Sequence, residues 1–313
     1  MKILYSTMLI LIVSCIPVRA QQFQILDQYL VNPFALSPSF AGKDVIIRSL
    51  VTHRSEWTGL SGHPVVGNLN IDGTIVRNMG LGASLVLNKA GIYRNFCFSL
   101  AYAYHLKLAT DHYLSFGINP AIYQNSIDFT DLLVSDPDDP MIKGRDGMSE
   151  TYLNVGFGLL YNWKNLNVSV SFPILFNNRS FYYNDDYQHL LTMERNWLVY
   201  MGYIQPLPSD FSLKFDVLFR YNQFNPWTID LSFAGRYQDS YWLGILYRKG
   251  NIIGITAVIA IIHSILIQYT YEFSGTAMMG KSSGTHEISL GYILKGKSKP
   301  KKEETPQLKD YTH

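Results

Sequence analysis

Charge is scarce in this chain. Asp, Glu, Lys and Arg make up 16% of its 313 residues, against roughly 25% in an ordinary soluble protein. So little charge excludes an intrinsically disordered chain and a coiled coil. Bases exceed acids by two, 26 against 24, which leaves no bulk electrostatic reason to expect a nucleic-acid partner. Cysteine is nearly missing, with Cys15 and Cys97 the two present. Helical periodicity of useful length is missing as well. Apolar residues, by contrast, reach 47% and aromatics 14%, with 22 Tyr and 17 Phe, which excludes a linker-rich protein. Few charges are left to cover that much aromatic area, so its destination is the question the sequence poses.

The first twenty residues have the form of a secretory signal peptide. Lys2 is the basic start, Ile3 to Pro17 the apolar stretch, and Val18-Arg19-Ala20 the small-residue site, with Gln21 as the expected first mature residue. Ile12-Val13-Ser14-Cys15 resembles a lipoprotein box, but the well-placed Val-x-Ala site favours ordinary cleavage. The mature chain then keeps Cys97 alone. One thiol makes no intramolecular disulfide, so stability has to come from packing and strand pairing.

Beyond residue 40 the dominant period is two. Phe211, Leu213, Phe215, Val217, Phe219 and Tyr221 share one face, while Ser212, Lys214, Asp216, Leu218 and Arg220 share the other. Phe96 to Leu106, Trp227 to Tyr237 and Ile265 to Phe273 repeat the pattern. Strict alternation signals strands, because successive side chains point to opposite faces. Fourteen are expected, near 44–57, 65–75, 79–88, 93–106, 110–125, 150–162, 165–174, 193–205, 209–222, 226–238, 240–248, 251–260, 263–274 and 284–295. The run Ile252–Ile262 is apolar on both faces but rich in β-branched residues, so it reads as a strand joined to the next near 262–264.

A soluble sandwich also alternates. Here, however, the second face carries Lys214, Asp216, Arg220, Asp230, Arg236 and Glu272, too many charges for a sandwich core. An aromatic-rich apolar face, a polar opposite face and a signal peptide fit a transmembrane antiparallel β-barrel, closed so that no strand edge meets lipid. The expected fold is thus all-β: a signal peptide (1–20), a periplasmic segment outside the barrel (21–43), an outer-membrane barrel of about fourteen strands (44–295) and a basic periplasmic tail (296–313). Even-numbered connections come out short, as periplasmic turns should. The long stretches 126–149, 174–192 and 275–284 all fall on the opposite, outer side. The interior charges suit a wet lumen, and strand glycines such as Gly80, Gly82, Gly117, Gly156, Gly158, Gly244 and Gly291 suit relief of wall curvature.

Ordered motifs add a family resemblance. Gln28-Tyr29-Leu30-Val31-Asn32-Pro33 followed by Ser37-Pro38-Ser39-Phe40-Ala41-Gly42 resembles the opening box of the PorP/SprF family, with Ser39 where the family has Ala. Arg54-Ser55-Glu56-Trp57, Gly80-Leu81-Gly82-Ala83-Ser84, Asn88-Lys89-Ala90-Gly91, Leu114-Ser115-Phe116-Gly117, Asn154-Val155-Gly156-Phe157-Gly158 and His286-Glu287-Ile288-Ser289-Leu290-Gly291-Tyr292 follow in family order, Glu56 standing where the family has Gln. The resemblance implies an outer-membrane barrel of Bacteroidota serving type IX secretion and gliding motility. It also implies partners: outer-membrane lipid, a secreted cargo with a C-terminal sorting domain, and periplasmic components of the machine. A passive porin or uptake channel is the alternative.

Catalytic and metal chemistry find little support in the sequence. No histidine pair has ligand spacing. Ser264 beside His263 faces the opposite side of a strand, so no catalytic residue, metal site or cofactor is expected and the chain reads as a non-enzyme. Asp136, Asp138 and Asp139 crowd one outer loop. They lack the Gly and distal Glu of a calcium loop and read better as a solvated loop or a partner-binding epitope. The N-terminal box that resembles the family's, Gln28, Tyr29, Asn32, Pro33, Pro38 and Gly42, is the other candidate site.

Overall fold

The computed structural model describes residues 25–130, 146–176, 195–222, 225–261, 264–275 and 280–294. The expected signal sequence with Ala20 and Gln21, the stretch with Asp136, Asp138 and Asp139, and the expected tail lie outside these residues. Fourteen strands form one closed antiparallel barrel: β1 Ile47–Ser55, β2 Val65–Val76, β3 Met79–Ala90, β4 Tyr93–Ala109, β5 His112–Asp128, β6 Gly147–Trp163, β7 Leu166–Phe172, β8 Asn196–Pro206, β9 Phe211–Asn222, β10 Asn225–Tyr237, β11 Tyr241–Arg248, β12 Ile252–Ile261, β13 Ile265–Ser274 and β14 Thr285–Leu294. Each strand pairs with its sequence neighbour, and β1 closes on β14 over Ile47↔Leu294 to Ser55↔His286. Closure leaves no terminal strand with an open edge, as a sheet in lipid requires.

The alternation read from sequence sets the two faces. Phe96, Phe98, Leu100, Tyr102, Tyr104 and Leu106 point out from β4, while Ser99, Ala101 and Ala103 are buried inside. Trp163, Phe211, Tyr237 and Tyr241 ring one end of the outer surface, and Trp197, Tyr221, Trp227 and Tyr247 the other. This is the pair of aromatic girdles expected at two lipid–water boundaries. Between them lie aliphatics such as Ile245, which is 58% exposed and pairs with Phe233 and Ile255. Ile245→Arg should cost roughly 2–4 kcal/mol, the penalty for a cation near the bilayer midplane, read as a lowered guanidinium midpoint in reconstituted vesicles.

The turns at the end that carries the start of β1 and the end of β14 are all short. Several use left-handed residues: Asn78 (φ 74°), Asp111 (φ 62°) and Lys164 (φ 48°), which tight hairpins need in order to match strand twist. The long excursions, after β5, β7 and β13, lie at the opposite end. Short connections at one end and long ones at the other are the pattern of periplasmic turns and outer loops in bacterial barrels. β7 is only seven residues long. Pro173 cannot donate to the ladder, and beyond it Ile174 turns inward against Ala121, Tyr123 and Tyr152.

Residues 25–44 depart from the sequence reading. They do not lie outside the barrel; they run through its lumen. Three short 3-10 turns, Asp27–Leu30, Pro33–Ala35 and Pro38–Phe40, pack Tyr29, Leu30, Phe34, Leu36, Phe40 and Ala41 against Ala101, Ala103, Leu160, Leu198, Tyr200 and Leu218 of the wall. The segment therefore builds an apolar core inside the barrel and occupies much of its lumen. This also accounts for the apolar inward positions on β12 and at the start of β13: Val258 and Leu266 point inward against Val31 of the lumen segment, while Ile255 and Ile259 are exposed on the outer face.

Candidate functional site: the lumen segment and its wall

A chain of 3-10 turns leaves many backbone groups without partners, and burying them is costly unless the surroundings supply bonds. The wall supplies them. Glu287 of β14 accepts from the backbone N–H groups of Asp27 (2.9 Å) and Gln28 (2.7 Å). Gln268 of β13 donates to the Asp27 carbonyl (3.1 Å). Farther down, Ser171 donates to the Leu36 carbonyl and His105 Nε2 to the Ala41 carbonyl. Asp72 accepts from the Gly42 N–H (2.9 Å) while pairing with Arg48 through two bonds of 2.8 Å.

The densest contact is ionic. Asp27, fully buried, bridges two guanidinium groups, Arg54 at 3.0 Å and Arg248 at 2.8 Å. Arg54 also pairs with Glu287, Glu272 and Glu56. Arg248 pairs with Glu272 and Asp230, and Asp230 with Arg220. Each charge in this network faces an opposite one, and Arg54 is only 2% exposed. Such a network is tolerable in a low-dielectric interior only when every member is paired. Asp27 is the one member supplied by the lumen segment, so it locks that segment to β1, β11, β13 and β14.

The box residues now have definite places. Gln28 donates to Asn68 (2.7 Å) and accepts from Thr52 and Asn70. Tyr29 meets Tyr200 edge-on at 6.2 Å between centroids. Pro33 and Pro38 begin the second and third turns, where a missing N–H costs nothing. Asn32 is buried without a bond to either side-chain atom. Gly42 sits at φ 67°, and a Cβ there would lie 2.6 Å from the Gly73 carbonyl oxygen.

Strand glycines match this segment. A Cβ on Gly80 would strike the Ala41 carbonyl, one on Gly82 the Phe34 ring, one on Gly117 the backbone of Pro38 and Ser39, and one on Gly158 the Ser37 hydroxyl. These four therefore admit the lumen segment, whereas curvature relief was the sequence expectation. Gly156, Gly244 and Gly291 instead clear neighbouring wall groups, at Asn119, Ala234 and Leu50.

Among the described residues no group of three His, Cys, Asp or Glu is arranged to hold a metal ion. The model of the family described as "Type IX secretion system membrane protein PorP/SprF" matches residues 18–292. The chain belongs to the PorP/SprF family. The resemblance read from the motifs is thereby established over almost the whole barrel, and the chain is an outer-membrane barrel of a type IX secretion family. No curated protein matches it. Solved structures share the architecture: CymD, a monoaromatic hydrocarbon channel, at 12% identity and TM-score 0.52, covering 88% of this chain and 94% of CymD. A Pseudomonas aeruginosa FadL homologue matches at 11% identity and TM-score 0.50, covering 86% and 94%. At such identities the likeness concerns the barrel fold alone.

The PorP/SprF motifs quoted from sequence meet in space. Arg54 and Glu287 hold the start of the lumen segment, and Gly80, Gly82, Gly117 and Gly158 make room for its remainder. Residues missed by sequence reasoning are Asp27, Arg48, Asp72, Arg248 and Gln268. For Arg48, Asp72, Arg248 and Gln268 the signal was available only as inward strand positions, and Asp27 lies in a segment with no period.

Proposed function

We propose that this barrel is a closed anchor of the type IX machine, supporting secretion or surface retention of a cargo adhesin. The observation that carries this reading is the lumen segment, wedged against the wall by ionic and backbone contacts within a PorP/SprF barrel. A solute channel needs a wet path, and the passive-porin reading leaves so costly a filling of the lumen without purpose. In this reading the outer loops, with Asp136, Asp138 and Asp139, contact the cargo. The end bearing the chain termini faces periplasmic components. Deleting the gene should abolish surface display of one cargo with a C-terminal sorting domain, at unchanged levels of unrelated outer-membrane barrels. Whole-cell immunolabelling of such cargoes tests it, and undiminished display of all of them would reject the anchor reading.

A further inference from the structure

A cavity of about 130 Å³ lies between the lumen segment and the inward faces of β2 to β5. It reaches Asn88 and Tyr93 beside the β3–β4 turn, toward the end that carries the long excursions. At roughly 10–15 Å³ for each water-sized atom it has room for about ten heavy atoms, one ring and no more. Ile25, Leu26 and Phe34 of the lumen segment give it an apolar side. The wall opposite is rich in amides: Asn68, Asn70, Asn88, Asn95, Asn119 and Asn125 all line it. No Asp, Glu, Lys, Arg or His does so among the described residues.

Two of these amides spend their donors within the protein. Asn68 donates to Ser84 and Leu85, and Asn70 to Gln28 and Asn68. The other four keep a polar atom for the cavity. Among the described residues the Asn88 and Asn119 side chains bond to no protein group, and both are partly exposed while their Oδ1 atoms are enclosed. The reachable part of each is therefore its NH2 donor. Asn125 Oδ1 accepts from Asn95 Nδ2 and the Tyr93 hydroxyl, which leaves the Asn125 NH2 and the Asn95 carbonyl. An apolar side chain would fill this wall with no unmet group, so the amides are kept at a cost. With no charge to pair, an ionic ligand would be desolvated here without compensation. Three free NH2 donors against one carbonyl call for a ligand with more acceptors than donors, and a hydroxyl offers two lone pairs for each proton. A sugar ring carries such hydroxyls around its edge and carbon-bound hydrogens on its faces. We propose that this cavity binds one neutral sugar ring, its hydroxyls on Asn88, Asn95, Asn119 and Asn125 and its carbon face against Leu26 and Phe34. The proposal stands apart from the anchor reading, since it concerns this cavity whether or not the barrel retains cargo.

The full-length mature protein in lipid nanodiscs is titrated calorimetrically with glucose, galactose, mannose and rhamnose, and with glucuronate and galacturonate as the charged counterparts of the first two. At least one neutral sugar should bind saturably, and each uronate at least tenfold more weakly than the tightest neutral sugar. Cys97, the one cysteine beyond residue 20, lines the cavity, so the bound sugar should also slow its modification by methyl methanethiosulfonate. Asn88→Leu removes one free donor at nearly constant volume and should weaken binding about tenfold, the loss of one hydrogen bond. Folding of that variant is checked by heat-modifiable gel mobility, Asn119→Leu is the second variant, and the comparison of neutral with charged sugars needs none. No saturable binding of any of the four leaves the cavity to ordered water and overturns the proposal. Equal binding of a uronate, or an affinity that Asn88→Leu and Asn119→Leu leave unchanged in a folded barrel, overturns it as well.

Discussion

Deleting residues 25–43 is expected to turn a silent barrel into a conducting one. The intact protein, reconstituted in a planar bilayer, should show no stable current steps, because those residues fill the lumen and bond to the wall from Asp27 to Gly42. The deleted form exposes the inward faces of β1 to β14, whose charges would then line a water path. Asp27→Ala is the subtler test. It leaves Arg54 and Arg248 sharing Glu272 and Glu287 without the carboxylate that bridged them. Removing one partner of a buried ion pair typically costs about 3–5 kcal/mol, and each 1.4 kcal/mol is tenfold in an equilibrium constant. If the loss falls on the seated segment, its seating equilibrium shifts by roughly two to three and a half orders of magnitude. The expected record is flickering current for Asp27→Ala and steady current for the deletion. A deletion form that shows heat-modifiable mobility yet stays silent would mean that something else closes the barrel. The same result would remove the principal argument for an anchor over a channel.

The wall was legible in the sequence, and its contents were not. Period two fixes a strand whenever one face meets lipid, so β9, with Phe211, Phe215 and Tyr221 outward and Lys214, Asp216 and Leu218 inward, could be written down residue by residue. The connection pattern followed, since two-residue hairpins leave sharp turn chemistry at positions such as Asn78 and Asp111. Residues 25–44 carry no comparable signal. Turns of three or four residues are shorter than any period, and Pro33 and Pro38 look the same in a solvated linker. What could have raised suspicion is the box itself: Tyr29, Leu30, Val31, Phe34, Leu36 and Phe40 are too apolar for a segment lying in water. The interior charges were located correctly, but the sequence left an open and a filled lumen undecided. A wet lumen and a fully paired ionic core both place charges inward, and only the partner from outside the barrel pattern, Asp27, separates the two.

The glycines allow the sharpest separation of wall from contents. Gly117 lies on β5 between Ala103 and Gly158 in register, and faces inward. A Cβ there would collide with the backbone of Pro38 and Ser39, which cannot rotate away as a side chain can. Gly117→Ala should therefore unseat the third turn of the lumen segment while leaving the barrel closed, at a cost of about 1–3 kcal/mol for an overpacked contact. The measurement is a double-mutant cycle on chemical unfolding in vesicles. In the full-length protein Gly117→Ala lowers the midpoint. In the form lacking residues 25–43 it should be neutral or slightly stabilising, since a strand interior gains from replacing glycine. Gly235→Ala is the reference, an outward position with open space around the added atom, expected to change stability by less than about 0.5 kcal/mol. A penalty at Gly117 that persists after the deletion would assign this glycine to wall curvature. Its disappearance would show that the barrel wall was shaped around residues 25–44, and that the glycines at 80, 82, 117 and 158 record where that segment presses.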